Sequence, residues 1–338
     1  MTKYRTILAV GLGSIFEHAH LPILKRLLNP KFIYGVELSS ARRRYWKIVE
    51  PRLTLFQDLD YALEKKEYDY AIVACYPMDR YKILKKLYHT GIKRVLCEKP
   101  LDTTYHGLNE IRNLADKEDF MILPCHTWMY SPQVLIIEKY LVKYGLETPF
   151  HINTYVERTG PALGAQEGKP LWRINLQLSG GGVLFDHGYH HLYLAQRWTG
   201  EIFSPIDVNA WIDQNGVDWI TQAIFKGTRG TLLNMLLTWK GNTRCVECQI
   251  TSNQTRMILS EDSLWFTPPD KQTCKIFQGK PLSSDGYHKS WYEKLYKLFF
   301  SSFCSDVYIK CLTKEAFLTN KSILDAYQKM EPLLEVDI

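Results

Sequence analysis

Hydrophobic and polar positions follow two regimes along this chain. In the first 125 residues, short continuous apolar runs alternate with stretches of helical spacing. Residues 7–12 form an apolar run closed by Gly11-Leu12-Gly13, the pattern of a strand buried on both faces. Residues 14–28 carry apolar side chains at 15, 16, 19, 21, 23, 24, 27 and 28, a helical spacing in which Pro22 predicts a kink or restart. Asn29-Pro30 stops that helix. Further strands are expected over 31–38, 68–75, 92–97 and 120–125, and further helices over 79–89 and 104–117. Such alternation predicts an α/β, doubly wound parallel sheet of Rossmann type with helices on both faces.

Beyond residue 126 the alternation stops. A helix over 132–144 leads into β-branched and aromatic runs over 150–158, 206–212, 219–225, 230–239, 243–251 and 254–259. Turn signals such as Gln214-Asn215-Gly216 and Lys226-Gly227-Thr228 separate them, which predicts an antiparallel meander in one open sheet with a helix or two on one face. Two domains are therefore expected: 1–125, a dinucleotide-binding Rossmann sheet, and 126–338, an α+β domain with a large, mostly antiparallel open sheet. Residues 290–304 are amphipathic and aromatic; core packing is the reading taken, with a membrane-surface helix as the sharper alternative. Residues 319–330 carry the pattern of a closing helix.

Composition narrows the class. The 338 residues are 46% apolar and 23% charged, a globular mix, and no apolar run approaches the roughly 18 residues that span a membrane. The N-terminus enters a strand-like run without a secretion signal, so a cytoplasmic location is expected. Net charge is +6 with scattered basic residues, which does not describe a nucleic-acid surface. The densest basic run, Arg42 to Arg44, reads as a solvated helix face. Eight cysteines are spread along the chain, and all are read as free thiols. Cys245 and Cys248 match C-x-x-C, but on a strand residues three apart point to opposite faces, so no zinc site is expected there.

Gly11-x-Gly13 after the first strand is the place for a phosphate-binding turn, with Ser14 and Ile15 opening the following helix. The third glycine position of the dinucleotide fingerprint is Phe16, and the same turn is compatible with an ordinary tight turn. Glu37 closes the second strand where an acid accepts from a ribose 2′-hydroxyl, which favours NAD. The arginines at 42–44 weigh towards the 2′-phosphate of NADP, which stays open. Tyr76-Pro77 lies at the carboxyl edge of the sheet, and Glu98-Lys99-Pro100 follows the next apolar strand at the same edge. A desolvated lysine loses its proton readily and can hydrogen-bond a reacting hydroxyl. After Gly180-Gly181-Gly182, a helical reading puts Asp186 and His190 at i and i+4 on one face. A carboxylate there orients an imidazole able to take a hydroxyl proton; a structural Asp–His pair is the plainer alternative. His187 and His191 read as supporting residues, and no distant ligand completes a metal site among them.

The order and spacing of Gly11-x-Gly13 with His18, Cys75-Tyr76-Pro77, Glu98-Lys99-Pro100-Leu101 and Gly181-Gly182-x-x-x-Asp186-x-Gly188-x-His190 resemble the Gfo/Idh/MocA family of NAD(P)-dependent oxidoreductases. Tyr76, Met78 and Tyr81 stand where the family has threonine, asparagine and histidine. The resemblance implies a cofactor site of Gly11, Gly13, Ser14, Ile15, Glu37, Tyr76, Pro77, Tyr81, Glu98 and Lys99, and a cis peptide before Pro100 that turns Lys99 into the cleft. It implies Lys99, Asp186 and His190 as the catalytic set. It also implies a substrate pocket of Lys99, His126, Tyr155, Arg158, Trp172, Arg173, Asp186 and His190. Arg158 or Arg173 would hold a phosphate or carboxylate, or else pair with local acids. The implied activity moves a hydride between a nicotinamide and a secondary alcohol or ketone of a sugar, inositol or related polyol, phosphorylated or nucleotide-linked forms included. A homodimer or homotetramer built on the open sheet is the implied assembly. Two further readings remain: a non-catalytic NAD(P)-binding regulator, and a redox-neutral enzyme with tightly held NAD.

Overall fold

A computed structural model of the chain describes residues 5–78, 80–163, 171–282, 288–301 and 305–333. The first few residues of the N-terminal reading, Asp79 and Cys304 lie outside them.

The first half forms β1 (Ile7–Val10), α1 (Leu21–Leu27), β2 (Ile33–Val36), α2 (Ser40–Val49), β3 (Thr54–Phe56), α3 (Leu59–Lys65), β4 (Tyr70–Val73), α4 (Arg80–His89), β5 (Arg94–Cys97), α5 (Tyr105–Ala115) and β6 (Met121–Pro124). Six parallel strands lie in the order β3-β2-β1-β4-β5-β6. The chain leaves β1 to one side and returns on the other at β4, so a crevice opens beyond the carboxyl ends of these two strands. All four residues of β1 are buried, as its unbroken apolar run predicts.

Pro22 does not end the helix after the glycine turn. The helix runs from Ser14, widens into a π-helical turn over Phe16–His20, and places Pro22 in the first turn of α1, where no N–H is needed. The strand expected over 31–38 is shorter, because Pro30–Phe32 forms a 3-10 turn before β2. The solvated-face reading of the arginine run is corrected. Arg42 is only 6% exposed; its Nε donates to the Leu12 carbonyl, it pairs with Glu17, and its guanidinium covers the rings of Tyr45 and Trp46. Arg43 donates to the carbonyls of Glu37 and Leu38, which leaves Arg44 as the exposed member.

The second half contains α6 (Pro132–Lys143), β7 (His151–Glu157), α7 (Leu176–Ser179), α8 (Tyr189–Thr199), β8 (Phe203–Ile212), β9 (Asp218–Gly227), β10 (Leu232–Thr238), β11 (Cys245–Ser252), β12 (Thr255–Ser260), β13 (Ser263–Thr267), β14 (Cys274–Gln278), α9 (Lys289–Phe300), α10 (Ser305–Lys329) and β15 (Glu331–Pro332). Nine strands lie in the order β14-β13-β12-β11-β7-β10-β9-β8-β15. The sheet is mostly antiparallel but not a simple meander. β7 inserts between β11 and β10 and runs parallel to β10, and β15 runs parallel to β8. Cys245 and Cys248 fall on opposite faces of β11, and the seven described cysteines are free thiols.

The last two helices return to the first sheet. Arg94 donates to the carbonyls of Phe299 and Ser301 and pairs with Asp306. Asn320 of α10 accepts from the Leu101 amide at 2.8 Å and donates to the Asp102 carbonyl at 2.9 Å, pinning the backbone just after Lys99-Pro100. The apolar face of α9 (Trp291, Tyr292, Leu295, Tyr296 and Phe299) is buried in the core, in line with the core-packing reading. No described helix is long and apolar enough to cross a membrane.

Gly11 packs directly against the backbone that follows β4. It has φ +89°, its N–H donates to the Val36 carbonyl, and an added Cβ would lie 2.7 Å from backbone atoms of Cys75. Replacing it demands both a disfavoured conformation and separation of β1 from the end of β4. Gly11→Ala is expected to lower stability by about 1–3 kcal/mol, read as a reduced urea midpoint with an unchanged m-value.

Candidate active site

The glycine turn is shaped to receive a ligand from outside the protein. Gly11 is required by the protein's own backbone, whereas a Cβ on Gly13 would meet nothing within 4 Å. The open space beside Gly13, followed by the start of a helix at Ser14 with its positive dipole end, suits a pyrophosphate. Glu37 is buried against this turn. Its carboxylate accepts from the amides of Leu12 at 3.2 Å and Ser39 at 2.8 Å.

Glu98-Lys99-Pro100 leaves β5 at the same edge, and the Lys99–Pro100 peptide is cis. The Glu98 side chain turns into the core. It pairs with His20 at 3.1 Å and accepts from the Tyr292 hydroxyl at 2.6 Å, while His20 contacts the Tyr296 hydroxyl at 2.8 Å. Burial opposes ionisation of Glu98, but His20, Tyr292 and Arg80 outweigh it and hold the carboxyl below its ordinary range. Arg80, which the sequence reading missed, straps the loop down: its guanidinium donates to the carbonyls of Glu98, Pro100 and Cys75. A cation at the start of a helix opposes the helix dipole, and that was the available signal that Arg80 has fixed partners.

Lys99 reaches across to the turn that follows the three glycines. Its Nζ donates to the Asp186 carbonyl at 2.7 Å and to the Asp186 carboxylate at 3.1 Å. The glycines before Asp186 make this approach possible. Gly180 caps α7 in the left-handed conformation, and side chains on Gly181 and Gly182 would collide with the Tyr327 hydroxyl and the Asp218 carbonyl. The buried Asp218 carboxylate accepts from the amides of Gly182 and Leu184 and fixes the start of the next turn.

That turn is π-helical over Leu184–Gly188, which alters the i, i+4 geometry expected from the sequence. Asp186 pairs with Lys99, with Arg173 at 3.1 Å and with His187 at 3.7 Å; among the described residues it makes no hydrogen bond to His190. His190 instead stacks on Trp128, ring centroids 5.3 Å apart. The expected orientation of His190 by Asp186 is thus replaced by aromatic packing, although both side chains face one cleft.

That cleft, about 930 Å³, is lined from both halves of the chain. Ser14, Ile15, Pro77, Lys99, Asp186 and His190 line it, as do Arg158, Trp172 and Arg173. Tyr76 packs its ring 5.5 Å from that of Trp172. Gly11, Gly13, Glu37, Tyr76, Tyr81, His126 and Tyr155 are not among the cleft's lining residues, and the last three pack elsewhere. His126 is buried under α8, its Nε2 2.9 Å from the Tyr189 hydroxyl and its ring against Tyr193. Tyr155 alternates with the inward Thr154 and Val156 of β7, so it sits on the other face of the sheet, bonded to Glu157. Tyr81 packs on His106 of α5.

Burial depresses ionisation of the imidazoles around the site. It pulls His187 to about 3 despite Asp186. It drives His190 well below its usual range, with the Lys99 charge adding to the effect. Burial opposes ionisation of Asp186 as well, but Lys99 and Arg173 hold it well below the usual carboxylate range. The cleft therefore presents a neutral imidazole beside an ammonium–carboxylate–guanidinium chain.

Comparison with known proteins agrees with this geometry. Residues 5–126 match the family model GFO_IDH_MocA, described as "Oxidoreductase family, NAD-binding Rossmann fold". Over these residues the chain is similar to the NAD-binding part of the Gfo/Idh/MocA family. An uncharacterized oxidoreductase of Schizosaccharomyces pombe is 26% identical over 206 residues, covering 58% of this chain and 52% of the relative. A second one from the same yeast is 25% identical over 118 residues, 34% of this chain and 31% of that protein. The chain thus spans about half the length of the first curated relative and a third of the second. The whole fold resembles an oxidoreductase domain protein from Kribbella flavida (TM-score 0.76, 16% identity, 97% of each chain). It also resembles KijD10, a 3-ketoreductase from Actinomadura kijaniata solved with NADP and TDP-benzene (TM-score 0.77, 12% identity, 98% of this chain and 99% of that one). At these identities the likeness concerns the fold.

Depressed imidazole values have a thermodynamic consequence. His126, His187 and His191 lie near 3 and His190 also lies well below its usual range, while the unfolded chain takes up these protons near pH 6.5. Their contribution to stability is complete above pH 6.5 and is lost as pH falls towards 3. Each such histidine makes stability fall by about 1.4 kcal/mol per pH unit within that window. Urea midpoints measured from pH 7.5 to 4.5 are expected to fall steeply below pH 6.5, and His126→Phe should flatten the slope by about one proton.

Proposed function

We propose that this chain is an NAD(H)-dependent oxidoreductase acting on a secondary alcohol, or the matching ketone, of a sugar, inositol or related polyol. The observation that carries this reading is the meeting of Ser14 and Ile15 of the glycine turn with Lys99, Asp186 and His190 on the walls of one cleft. When bound, the nicotinamide supplies the hydride acceptor or donor.

The chain's residues would supply the rest. Gly13 leaves room for the pyrophosphate, and Ser14 and Ile15 meet it with the helix start. Glu37 stands ready for the adenosine ribose. Because Arg42 and Arg43 are engaged with Glu17 and with backbone carbonyls, the arginine run weighs less towards a 2′-phosphate than its composition suggests, which favours NAD. Lys99 donates to the reacting oxygen and stabilises its alkoxide character. Asp186 and the clamp from Arg80 fix the ammonium in place. His190, kept neutral by burial and by Lys99, takes the hydroxyl proton; in the reductive direction it returns it. Trp128 holds the imidazole plane.

A screen of NAD and NADP reduction over sugars, inositols and their phosphates tests this reading. Lys99→Met and His190→Asn are each expected to lower kcat by about 10²-fold or more, with NADH still bound as read by fluorescence quenching. Full turnover in either variant removes the assigned roles. Copurified NAD that resists bulk exchange, with no net reduction, would return the redox-neutral reading.

A further inference from the structure

His187 and His191, alike on sequence as supporting residues, part company in the fold. His191 is 4% exposed and sets its ring against Trp128, centroids 5.5 Å apart, away from the cleft. His187 lines the cleft together with Lys99, Asp186 and His190, and 20% of its side chain is exposed there. It belongs to the π-helical turn Leu184–Gly188 and stands three residues before His190. That spacing brings two helical side chains to one side of their helix.

A supporting role would show as a hydrogen bond from His187 to Asp186. The His187 Nε2 lies 3.7 Å from the Asp186 carboxylate, beyond hydrogen-bond reach. Lys99 and Arg173 hold that carboxylate instead, each at 3.1 Å. Among the described residues the His187 ring makes no hydrogen bond and no aromatic contact. Burial keeps it neutral at neutral pH; Asp186 opposes this, and the charges of Arg158 and Lys99 add to it. A neutral imidazole carries one N–H donor and one acceptor nitrogen, the same pair of functions that a hydroxyl carries. A mostly buried ring with both functions unmet costs free energy until a ligand meets them. Lys99 and His190 are the groups assigned to the oxygen that changes oxidation state. A lone alcohol on those two leaves His187 unmet, whereas a second hydroxyl on the neighbouring carbon gives it a partner in the same cleft.

We infer that His187 is a specificity-determining residue, hydrogen-bonded to a substrate hydroxyl on the carbon next to the one oxidised, so that the reacting alcohol is half of a vicinal diol. The inference rests on the oxidoreductase reading of the cleft and narrows it. The hydroxylated substrate is taken in preference to its analogue deoxygenated at that neighbouring carbon.

Two measurements test it. In the first, the sugar or inositol that reduces NAD is compared with its analogue carrying hydrogen in place of the neighbouring hydroxyl. The unmodified protein is expected to favour the hydroxylated form about 10-fold in kcat/KM. His187→Leu removes both ring nitrogens; it should raise KM for the hydroxylated form about 10-fold, leave kcat within about 3-fold and bring the preference close to one. His187→Asn keeps a donor and an acceptor and should recover part of the preference. His191→Phe, at the buried neighbour, should leave the preference unchanged. The second measurement needs no turnover. NADH-saturated protein is titrated calorimetrically with trans-1,2-cyclohexanediol and with cyclohexanol; the diol should bind tighter to the unmodified protein, and the two should bind alike to His187→Leu. The inference is overturned if the unmodified protein treats diol and lone alcohol alike, or if His187→Leu keeps the preference. It also falls if His187→Leu lowers kcat as far as His190→Asn does with the preference intact, since His187 would then serve the base. Protein that neither binds NADH nor reduces NAD defeats the oxidoreductase reading instead.

Discussion

Lys99 and Asp186 lie 87 residues apart in sequence, and the contact between them organises the cleft. An ammonium and a carboxylate taken partly out of water gain little net stability, because desolvation offsets most of their attraction. What the pair supplies is placement. Lys99 is held at the end of a loop whose carbonyls are gripped by Arg80 from one side and whose following amides are pinned by Asn320 from the other. Asp186 is held by a glycine-rich turn that only fits because Tyr327 and Asp218 fill the space side chains would occupy. Loosening any of these supports moves the Lys99 ammonium.

The electrostatics of the site follow from that arrangement. With Asp186 committed to Lys99, Arg173 and His187, the imidazole of His190 lacks a direct carboxylate partner among the described residues and stays neutral under burial. Packing on Trp128 takes over the orienting task that an Asp–His hydrogen bond would perform.

Much of the architecture was legible because local pattern and burial agree. The unbroken apolar runs of β1, β4, β5 and β6 have no polar face to spend on solvent, and they emerged as the centre and one side of a parallel sheet. Lys99, Asp186 and His190 were placed at one cleft because their motifs follow a strand or glycines whose position in such a sheet is constrained, whereas Trp172 and Arg173 were placed there by the family resemblance alone. The failures concern side-chain direction and distant pairing. Tyr155 falls on the far face because alternation along β7 assigns faces only once the register of the nine-stranded sheet is known. His126 faces inward because Tyr189 and Tyr193 of α8 receive it. Arg42 is buried because the Leu12 carbonyl, Glu17 and two aromatic rings surround it.

The sequence by itself determined that a glycine turn ends a buried strand, that a lysine precedes a proline at the next sheet edge, and that an aspartate and a histidine follow three glycines. These are properties of neighbouring residues, and short-range sterics and periodicity suffice to read them. Only the tertiary structure decided that Asp186 answers Lys99 and not His190, that β7 enters the middle of its sheet, and that Arg80 grips the carbonyls on either side of Lys99. Each of these depends on groups far apart in the chain, whose meeting is set by how two sheets and the returning helices α9 and α10 pack, and no local pattern encodes that distance.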